Sequence, residues 1–334
     1  MKIVVDAFGG DYAPYEIVAG AVKALQSNPK LEVVLVGDKD KITEILQKLV
    51  FVSERLEIVH APDVVTMDES PTIAIRTKKT SSIVVAFDYL KQNEDAVALV
   101  SAGSTGATLT GSVLKLGRIQ GVSRPALAPL LPTVNDSKVM LLDCGANADC
   151  KPENLLHFGI MGTEYMKALG IKKPRVALLN IGTEEEKGNE VSKEAYQLLK
   201  NSKLNFVGNI EARDVLRGNV DIVVTDGYSG NICLKTIEGT AEILFSEIKD
   251  LTKQSLKTKL GALMLKKGLY GIKSKYDHRK VGGAPMLGVS KIVLKCHGNS
   301  KADSVETTIN QAYQLAQSGM IEKVKKAVAK NEEK

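Results

Sequence analysis

Met1-Lys2-Ile3-Val4-Val5-Asp6 runs into Ala7-Phe8-Gly9-Gly10-Asp11 and, after Ala13-Pro14, into the amphipathic stretch Tyr15 to Gln26. A β-branched run without polar alternation reads as a strand buried on both faces, which is the habit of parallel sheets. A glycine-rich turn and a helix-length segment directly after it make the first half of a β-α-β unit.

The same unit recurs outward from this point. Short apolar runs stand at Glu32 to Val36, Leu56 to Val59, Ala96 to Val100, Val139 to Asp143, Arg175 to Asn180, Asn205 to Gly208, Val220 to Thr225 and Lys291 to Lys295, with helical stretches such as Ser192 to Leu199 between them. The alternation predicts an α/β protein: a three-layer α/β/α sandwich around a mostly parallel sheet, forming a single domain over residues 1–334. Internal repeats and low-complexity linkers are absent from the sequence.

Gly239 to Lys267 breaks the rhythm. Leu244, Ile248 and Leu251, then Leu256, Leu260, Leu263 and Met264, carry one helical pattern for many turns. This predicts a protruding amphipathic helical arm over residues 240–281 rather than another layer of the sandwich.

Composition narrows the function. The chain is 44% hydrophobic and 25% charged, the balance of an ordinary globular protein rather than a disordered one, and at 334 residues it is long enough to bury a large core, which sets aside a peptide-binding module. Cys144, Cys150, Cys233 and Cys296 have no CxxC spacing and read as reduced thiols. With no basic-then-apolar leader and no apolar run near the roughly 18 residues of a membrane span, a cytoplasmic location is expected. The net charge of +6 is too mild to indicate nucleic acid and is concentrated at Lys253, Lys257, Lys259, Lys266, Lys267, Lys273, Lys275, Arg279 and Lys280, where Asp277 is the only acid. That segment seeks an anionic partner.

The strand ends carry the chemistry, because ligands of open parallel sheets bind beyond the carboxyl ends of the strands. Gly9, Gly10 and Asp11 follow the first strand; Ser104, Thr105 and Gly106 follow Ala98-Leu99-Val100; Ser229 and Gly230 follow Val220 to Thr225. Backbone N–H groups, hydroxyls and helix starts at such places suit an anion such as phosphate, although plain turns and N-caps use the same residues. Further tips end in Asn147, Asn180 and Asn231. There is no GKS/T ending of a P-loop and no GxGxxG, so neither nucleotide hydrolysis nor NAD binding is supported. His60, His157, His278 and His297 form no Ser-His-Asp order or HExxH, and there is no GxSxG elbow. We therefore expect no metal, no cofactor and no covalent protein intermediate.

The loops DAFGGDYAP (6–14), SAGSTGA (101–107), RPALAPLLPT (124–133), LLDCGANADCKPE (141–153), LLNIGTEEEKGNE (178–190), GNIEARD (208–214) and TDGYSGNICLKTIEG (225–239), taken together, closely resemble the PlsX family of phosphate acyltransferases, the acyl-ACP:phosphate transacylases. The likeness runs from Met1 to about Ser300 and departs from the usual family pattern at Phe8, Tyr12, Ser104 and Cys150. It implies a fold similar to the isocitrate/isopropylmalate dehydrogenase and phosphotransacetylase group. It also implies transfer of a long-chain fatty acyl group from acyl carrier protein to inorganic phosphate, the acyl-phosphate passing to a membrane glycerol-3-phosphate acyltransferase of the PlsY type for phospholipid synthesis.

Phosphate is already an anionic nucleophile and a phosphopantetheine thiolate is a tolerable leaving group, so positioning and electrostatics can supply most of the catalysis. In this hypothesis Gly9, Gly10, Ser104, Thr105 and Gly106 hold phosphate, Asn147, Asn180 or Asn231 stabilises the oxyanion, and Lys187 and Lys235 are the nearest cations. Glu211 and Arg213 either meet substrate or pair with each other, and His297 is either a proton donor or structural. On the arm, Leu256, Leu260, Leu263 and Met264 share one helix face beside Lys257, the pattern of a helix lying on an anionic membrane. Residues 240–252 are then a homodimer contact, and the lysines are alternatively a dock for the acidic carrier protein. The rival readings are a short-chain acyl-CoA phosphotransacylase, a dehydrogenase of the same fold group, and a non-catalytic membrane-surface scaffold.

Overall fold

The structure, a computed structural model, describes residues 1–276 and 282–332. Asp277, Arg279 and Lys280 of the basic stretch, and with them the last residues of the expected arm, lie outside the described residues. The strands are β1 (Lys2–Asp6), β2 (Glu32–Gly37), β3 (Leu56–His60), β4 (Ala96–Ser101), β5 (Ala126–Leu127), β6 (Leu130–Pro132), β7 (Lys138–Leu142), β8 (Arg175–Asn180), β9 (Asn205–Glu211), β10 (Ile222–Val224), β11 (Ala284–Leu287) and β12 (Ile292–Lys295). The α-helices are α1 (Tyr15–Ser27), α2 (Lys39–Lys48), α3 (Pro71–Thr77), α4 (Ser82–Gln92), α5 (Thr105–Gly111), α6 (Pro152–Ala168), α7 (Glu190–Lys200), α8 (Gly227–Leu251), α9 (Leu256–Lys275), α10 (Ala302–Gln317) and α11 (Met320–Glu332).

Every strand anticipated from the sequence is present, but they form two sheets where one was expected. The larger has seven strands in the order β3-β2-β1-β4-β12-β11-β5, the smaller five in the order β6-β7-β10-β8-β9. The long strands pair in parallel, while β5, β6 and β11 run antiparallel at the margins. These three short strands were not anticipated. Pro125, Pro129, Pro132 and Pro285 make their sequence read as loop, and proline is tolerated where a ladder hydrogen bond can be spared.

Strand alternation builds the layers. In the larger sheet Ile3, Val5, Ala98 and Val100 face α1 and α10, while Val4, Val34 and Leu99 face Val84, Phe87 and Leu90 of α4. Gly20 of α1 lets α10 approach closely, since a Cβ there would lie 2.5 Å from the Val305 Cβ. The first cluster continues without interruption into the smaller sheet through Met140, Leu142, Ile222 and Val224 with Phe158 of α6. The opposite face of the smaller sheet packs Leu141, Ala177 and Val223 on Val215 and on Cys233 and Leu234 of α8. Arg175 fastens β8 to the chain before β10: its Nε and Nη2 donate to Asp221 Oδ2 and Oδ1 at 3.0 and 2.9 Å.

The arm is two helices rather than one. Within α8, Gly227, Gly230, Cys233 and Leu234 are buried and the later turns project outward, with Ile243 67% and Leu244 60% exposed. The chain breaks at Thr252–Ser255, and α9 starts at a reciprocal cap in which Thr258 N–H donates to Ser255 Oγ at 3.1 Å and Ser255 N–H to Thr258 Oγ1 at 2.9 Å. The far end of α9 returns to the body, where Lys275 Nζ meets Asp136 Oδ1 at 2.6 Å and the Val134 carbonyl at 2.7 Å. Among the described residues no helix is long and apolar enough to cross a membrane.

Candidate active site

The tips of β1, β4 and β12 are pressed together. A Cβ on Gly9 would stand 2.5 Å from Asp6 Oδ2 and 2.6 Å from Gly103 N, and Gly10, at φ +109°, lies against Ala102 and the Gly298 carbonyl. Asp11 N–H donates to that carbonyl at 2.8 Å. Beneath this layer Ser101 Oγ donates to the buried Asp6 at 2.7 Å, and burial holds the Asp6 carboxyl above its ordinary value. Lys295, only 7% exposed, closes β12 and donates to the Ala102 carbonyl at 3.3 Å and to the Cys296 carbonyl. Burial lowers its pKa to about 8 against the opposing pull of nearby charges including Asp6 and Asp11.

Ser104 caps α5, accepting from Ala107 N at 3.4 Å, and Gly106 lies against Pro71 of α3, 2.6 Å from where a Cβ would be. Thr105 is exposed beside them. Space between these loops amounts to about 10 Å³, room for little more than a water.

The tips of the smaller sheet are built around Asp143. Its buried carboxylate accepts from Leu127 N, Ala146 N and Asn147 N at 2.9, 3.2 and 2.7 Å and from Asn147 Nδ2 at 2.9 Å. Burial raises its pKa and these donors oppose the shift. Asn147 also donates to the Pro125 carbonyl at 2.7 Å, so both of its amide hydrogens are engaged in holding the loop. Onto this loop sits the first turn of α8: Gly227 N–H donates to the Asn147 carbonyl at 2.8 Å, and a Cβ on Gly230 would lie 1.9 Å from the Asp143 carbonyl oxygen. Asp226 caps the helix, accepting from Ser229 N at 2.7 Å and Ser229 Oγ at 2.9 Å.

The other sequence-predicted residues fall around this centre. Asn231 is exposed and rests against Gly145, its Cγ 3.6 Å from the position of a Cβ there. Asn180 Nδ2 donates to the Lys187 carbonyl at 2.9 Å and its Oδ1 accepts from Ile181 N at 2.8 Å, which folds residues 181–187 into a closed loop with Lys187 exposed on it. Lys235 is in an ion pair with Glu238 at 2.6 Å. Arg213 pairs with Glu211 at 2.7 Å, the internal arrangement that the sequence left open.

A cleft of about 1970 Å³ joins these parts. Its polar end is formed by Asp149, Asn180, Arg213, Asp226, Ser229 and Asn299, and it extends along the inner side of the arm past Phe245 and Ile248 to Ile272 and Tyr276. Of the sequence-predicted site residues Asn180 and Ser229 line the cleft, whereas Gly9, Gly10, Asp11, Ser104, Thr105 and Gly106 line none of it, and Asn147, Lys187, Gly230, Asn231 and Lys235 stand beside it without lining it. The two groups connect through Gly298, held by Asp11, and its neighbour Asn299. Sequence reading missed Asp143, Lys295 and Asn299. A lysine closing the apolar run Ile292-Val293-Leu294 was the available signal for Lys295; Asn299 carries none in sequence.

Leu256, Lys257, Leu260, Leu263 and Met264 stand on α9 away from the cleft, with Leu256 84% and Met264 82% exposed. Among the described residues no group of three or more His, Cys, Asp or Glu is arranged to hold a metal ion.

The architecture is similar to that of a phosphotransacetylase from Streptococcus pyogenes, with a TM-score of 0.63 at 20% identity over 94% of each chain. It is also similar to a 4-hydroxythreonine-4-phosphate dehydrogenase from Klebsiella pneumoniae, with a TM-score of 0.52 at 15% identity over 95% of this chain and 99% of that one. These likenesses bear on the fold, and they agree with the expected dehydrogenase- and phosphotransacetylase-like sandwich. In sequence the chain is 48% identical over 329 residues to a phosphate acyltransferase of Thermoanaerobacterium thermosaccharolyticum, covering 98% of this chain and 97% of that one. It is 46% identical over 326 residues to a phosphate acyltransferase of Clostridium novyi, covering 97% and 98%. The profile of the family described as fatty acid synthesis protein matches residues 1–323. The chain therefore belongs to the fatty acid synthesis protein family, the PlsX group of phosphate acyltransferases that its loops resemble.

Proposed function

We propose that the chain transfers a long-chain fatty acyl group from the thiol of acyl carrier protein to inorganic phosphate. The observation that carries this reading is the shape of the cleft: polar strand tips at one end and an apolar run through Leu131, Leu216, Ile237, Leu244, Phe245 and Ile248 at the other. Pockets of about 300–1,000 Å³ suffice for drug-sized ligands, so a cleft of 1970 Å³ has room for a thioester head and an extended chain. A short-chain acyl-CoA transacylase would have no use for the apolar end.

The reaction balances without a protein nucleophile. A phosphate oxygen attacks the thioester carbonyl carbon, a C–O bond forms, the C–S bond breaks, and the proton of hydrogen phosphate ends on the departing thiol. Asn231 is the oxyanion donor in this scheme, because Asn147 is engaged with Asp143 and Pro125 and Asn180 with its own loop. Lys187, presented by that loop, supplies positive charge, while Lys235 serves Glu238. Phosphate lies between Asn299 and the Ser229-Gly230-Asn231 turn. Gly9, Gly10, Asp11, Ser104, Thr105 and Gly106 act from behind, as the packed layer that fixes Gly298.

The arm has a second task. Residues 240–252 meet a second copy of the chain, and residues 253–272 lie on an anionic membrane surface, with Leu256, Leu260, Leu263 and Met264 inserted and lysines such as Lys257 above them. Each basic residue near such a surface contributes about 1 kcal/mol, so several give reversible attachment. The location is then cytoplasmic and peripheral to the membrane, where an acyltransferase of the PlsY type consumes the acyl-phosphate for phospholipid synthesis. The test is phosphate-dependent release of thiol from palmitoyl-acyl carrier protein, with acetyl-CoA alongside and acyl-phosphate trapped as a hydroxamate. Turnover of acetyl-CoA alone would favour the short-chain rival, and no turnover at all would favour the non-catalytic scaffold.

A further inference from the structure

The great cleft has a far end as well as a polar one. Asn180, Asp226 and Ser229 line it at the strand tips, whereas Val134, Ile272 and Tyr276 line it where the arm returns to the body. Val134 stands at the opposite edge of the smaller sheet, because β6 is antiparallel to β7: Pro132 pairs with Lys138 at the start of β7, and Leu142 at its finish leads into the Asp143 loop. The two ends are thus separated by roughly the length of β7, five residues or about 17 Å, a distance that an extended palmitoyl chain spans. At the far end the walls are tied together. Lys275 Nζ donates to the Val134 carbonyl at 2.7 Å, pairs with Asp136 Oδ1 at 2.6 Å and lies 5.9 Å from the centre of the Tyr276 ring. Along the way Cys233, Ile237, Ala241 and Phe245, four residues apart, make one stripe of α8 on the cleft, and Ala241 is the smallest side chain in it.

We propose that this far end is a gauge of acyl-chain length: Ala241 leaves the space that the last methylenes fill, and Tyr276 and Ile272, held to the body through Lys275, stop the terminal methyl. The inference rests on the acyl-transfer reading of the cleft and adds what limits the length of its substrate. Chemistry fixes the thioester at the strand tips, so the carbon count alone decides where the other end of the chain falls. A chain too short leaves apolar wall uncovered and forgoes the burial of every missing methylene. A chain too long has to displace the Tyr276 ring from its place beside the Lys275 tie, and overpacking of that kind is unfavourable.

The experiment compares kcat/KM of the full chain for lauroyl-, myristoyl-, palmitoyl- and stearoyl-acyl carrier protein at fixed phosphate, in the wild type, Ala241→Phe and Tyr276→Ala. Ala241→Phe should lower the palmitoyl-to-lauroyl ratio about tenfold, and Tyr276→Ala should raise the stearoyl-to-palmitoyl ratio by a similar factor. Melting temperatures show which variants are folded, and Tyr276→Ala, which only removes atoms, decides the matter where the larger side chain is not tolerated. Folded variants that keep the wild-type ratios overturn the gauge. A uniform loss at all four lengths overturns it as well, since it would place Ala241 in a contact with a second copy or with the carrier protein. If the wild type transfers none of the four chains, the acyl-transfer reading fails. The same ratios are then read from binding of radiolabelled laurate, palmitate and stearate to the three proteins, where the shifts support the gauge and their absence overturns it.

Discussion

The two sets of strand tips use the same residue types to opposite ends. At β1, β4 and β12 glycine lies on glycine, and what remains between the loops is about 10 Å³. At β7, β8 and β10 the glycines of α8 seat one helix on the Asp143 loop, and beyond that contact a cleft of 1970 Å³ opens. Glycine-rich tips therefore mark close approach, and the great cleft opens beside the second of the two. In the function proposed above, the closed set supports and the open set reacts.

The sharpest way to break this contrast is Asn231→Ala. As the exposed donor of the open set, its loss should lower kcat about 10²–10³-fold and leave the melting temperature unchanged; a kcat within threefold of wild type would remove Asn231 from the chemistry. Gly230→Ala comes next, because its Cβ would overlap the Asp143 carbonyl oxygen at 1.9 Å. Overpacking of this kind costs about 3 kcal/mol, read as a lower urea midpoint, and a neutral result would mean that the helix seat is soft.

The closed set can be probed through its buried lysine. The folded pKa of Lys295 lies near 8 against an ordinary 10.5, so the unfolded chain binds the proton more tightly between those values. Stability should thus rise with pH from about 8 to 10.5 by up to about 3 kcal/mol, and Lys295→Met should lose this slope in urea denaturation followed across that range.

Asn147→Ala tests the contrast between two asparagines of one site. It removes donors to Asp143 and Pro125 and should cost about 2 kcal/mol of stability, where Asn231→Ala costs none. The smallest effect belongs to the arm: Gly268 has open space around it, so Gly268→Ala should stabilise α9 by about 0.5–1 kcal/mol, seen as slower amide exchange confined to that helix.

How much of this could be read beforehand follows from what sequence encodes locally. Apolar runs and the helical stretches between them located every long strand, because burial on both faces is written in consecutive residues. Nothing in such a run states which sheet it joins, so the division into two sheets was invisible, and Pro125, Pro129 and Pro132 hid the short antiparallel margins. Tips were found as tips. Whether an amide at a tip is engaged, like that of Asn147, or exposed, like that of Asn231, depends on partners many residues away, such as Pro125. The break at Ser255 was legible in principle from its cap with Thr258, but the leucine pattern on both sides runs through it. Function came from the order of the loops as a set, and no single loop would have carried it.

The long helix α8 has one further consequence. Its 25 residues form a rod of about 37 Å, rooted by its first turn on the Asp143 loop, while the companion helix is tied back at Lys275 and Asp136. A sideways load on the outer turns is therefore a torque on that root. Gly230 has no slack there, so the load is delivered to the loop beside Asn231 instead of being absorbed. Whatever the arm rests on is mechanically in series with the Asp143 loop and the cleft that opens beside it.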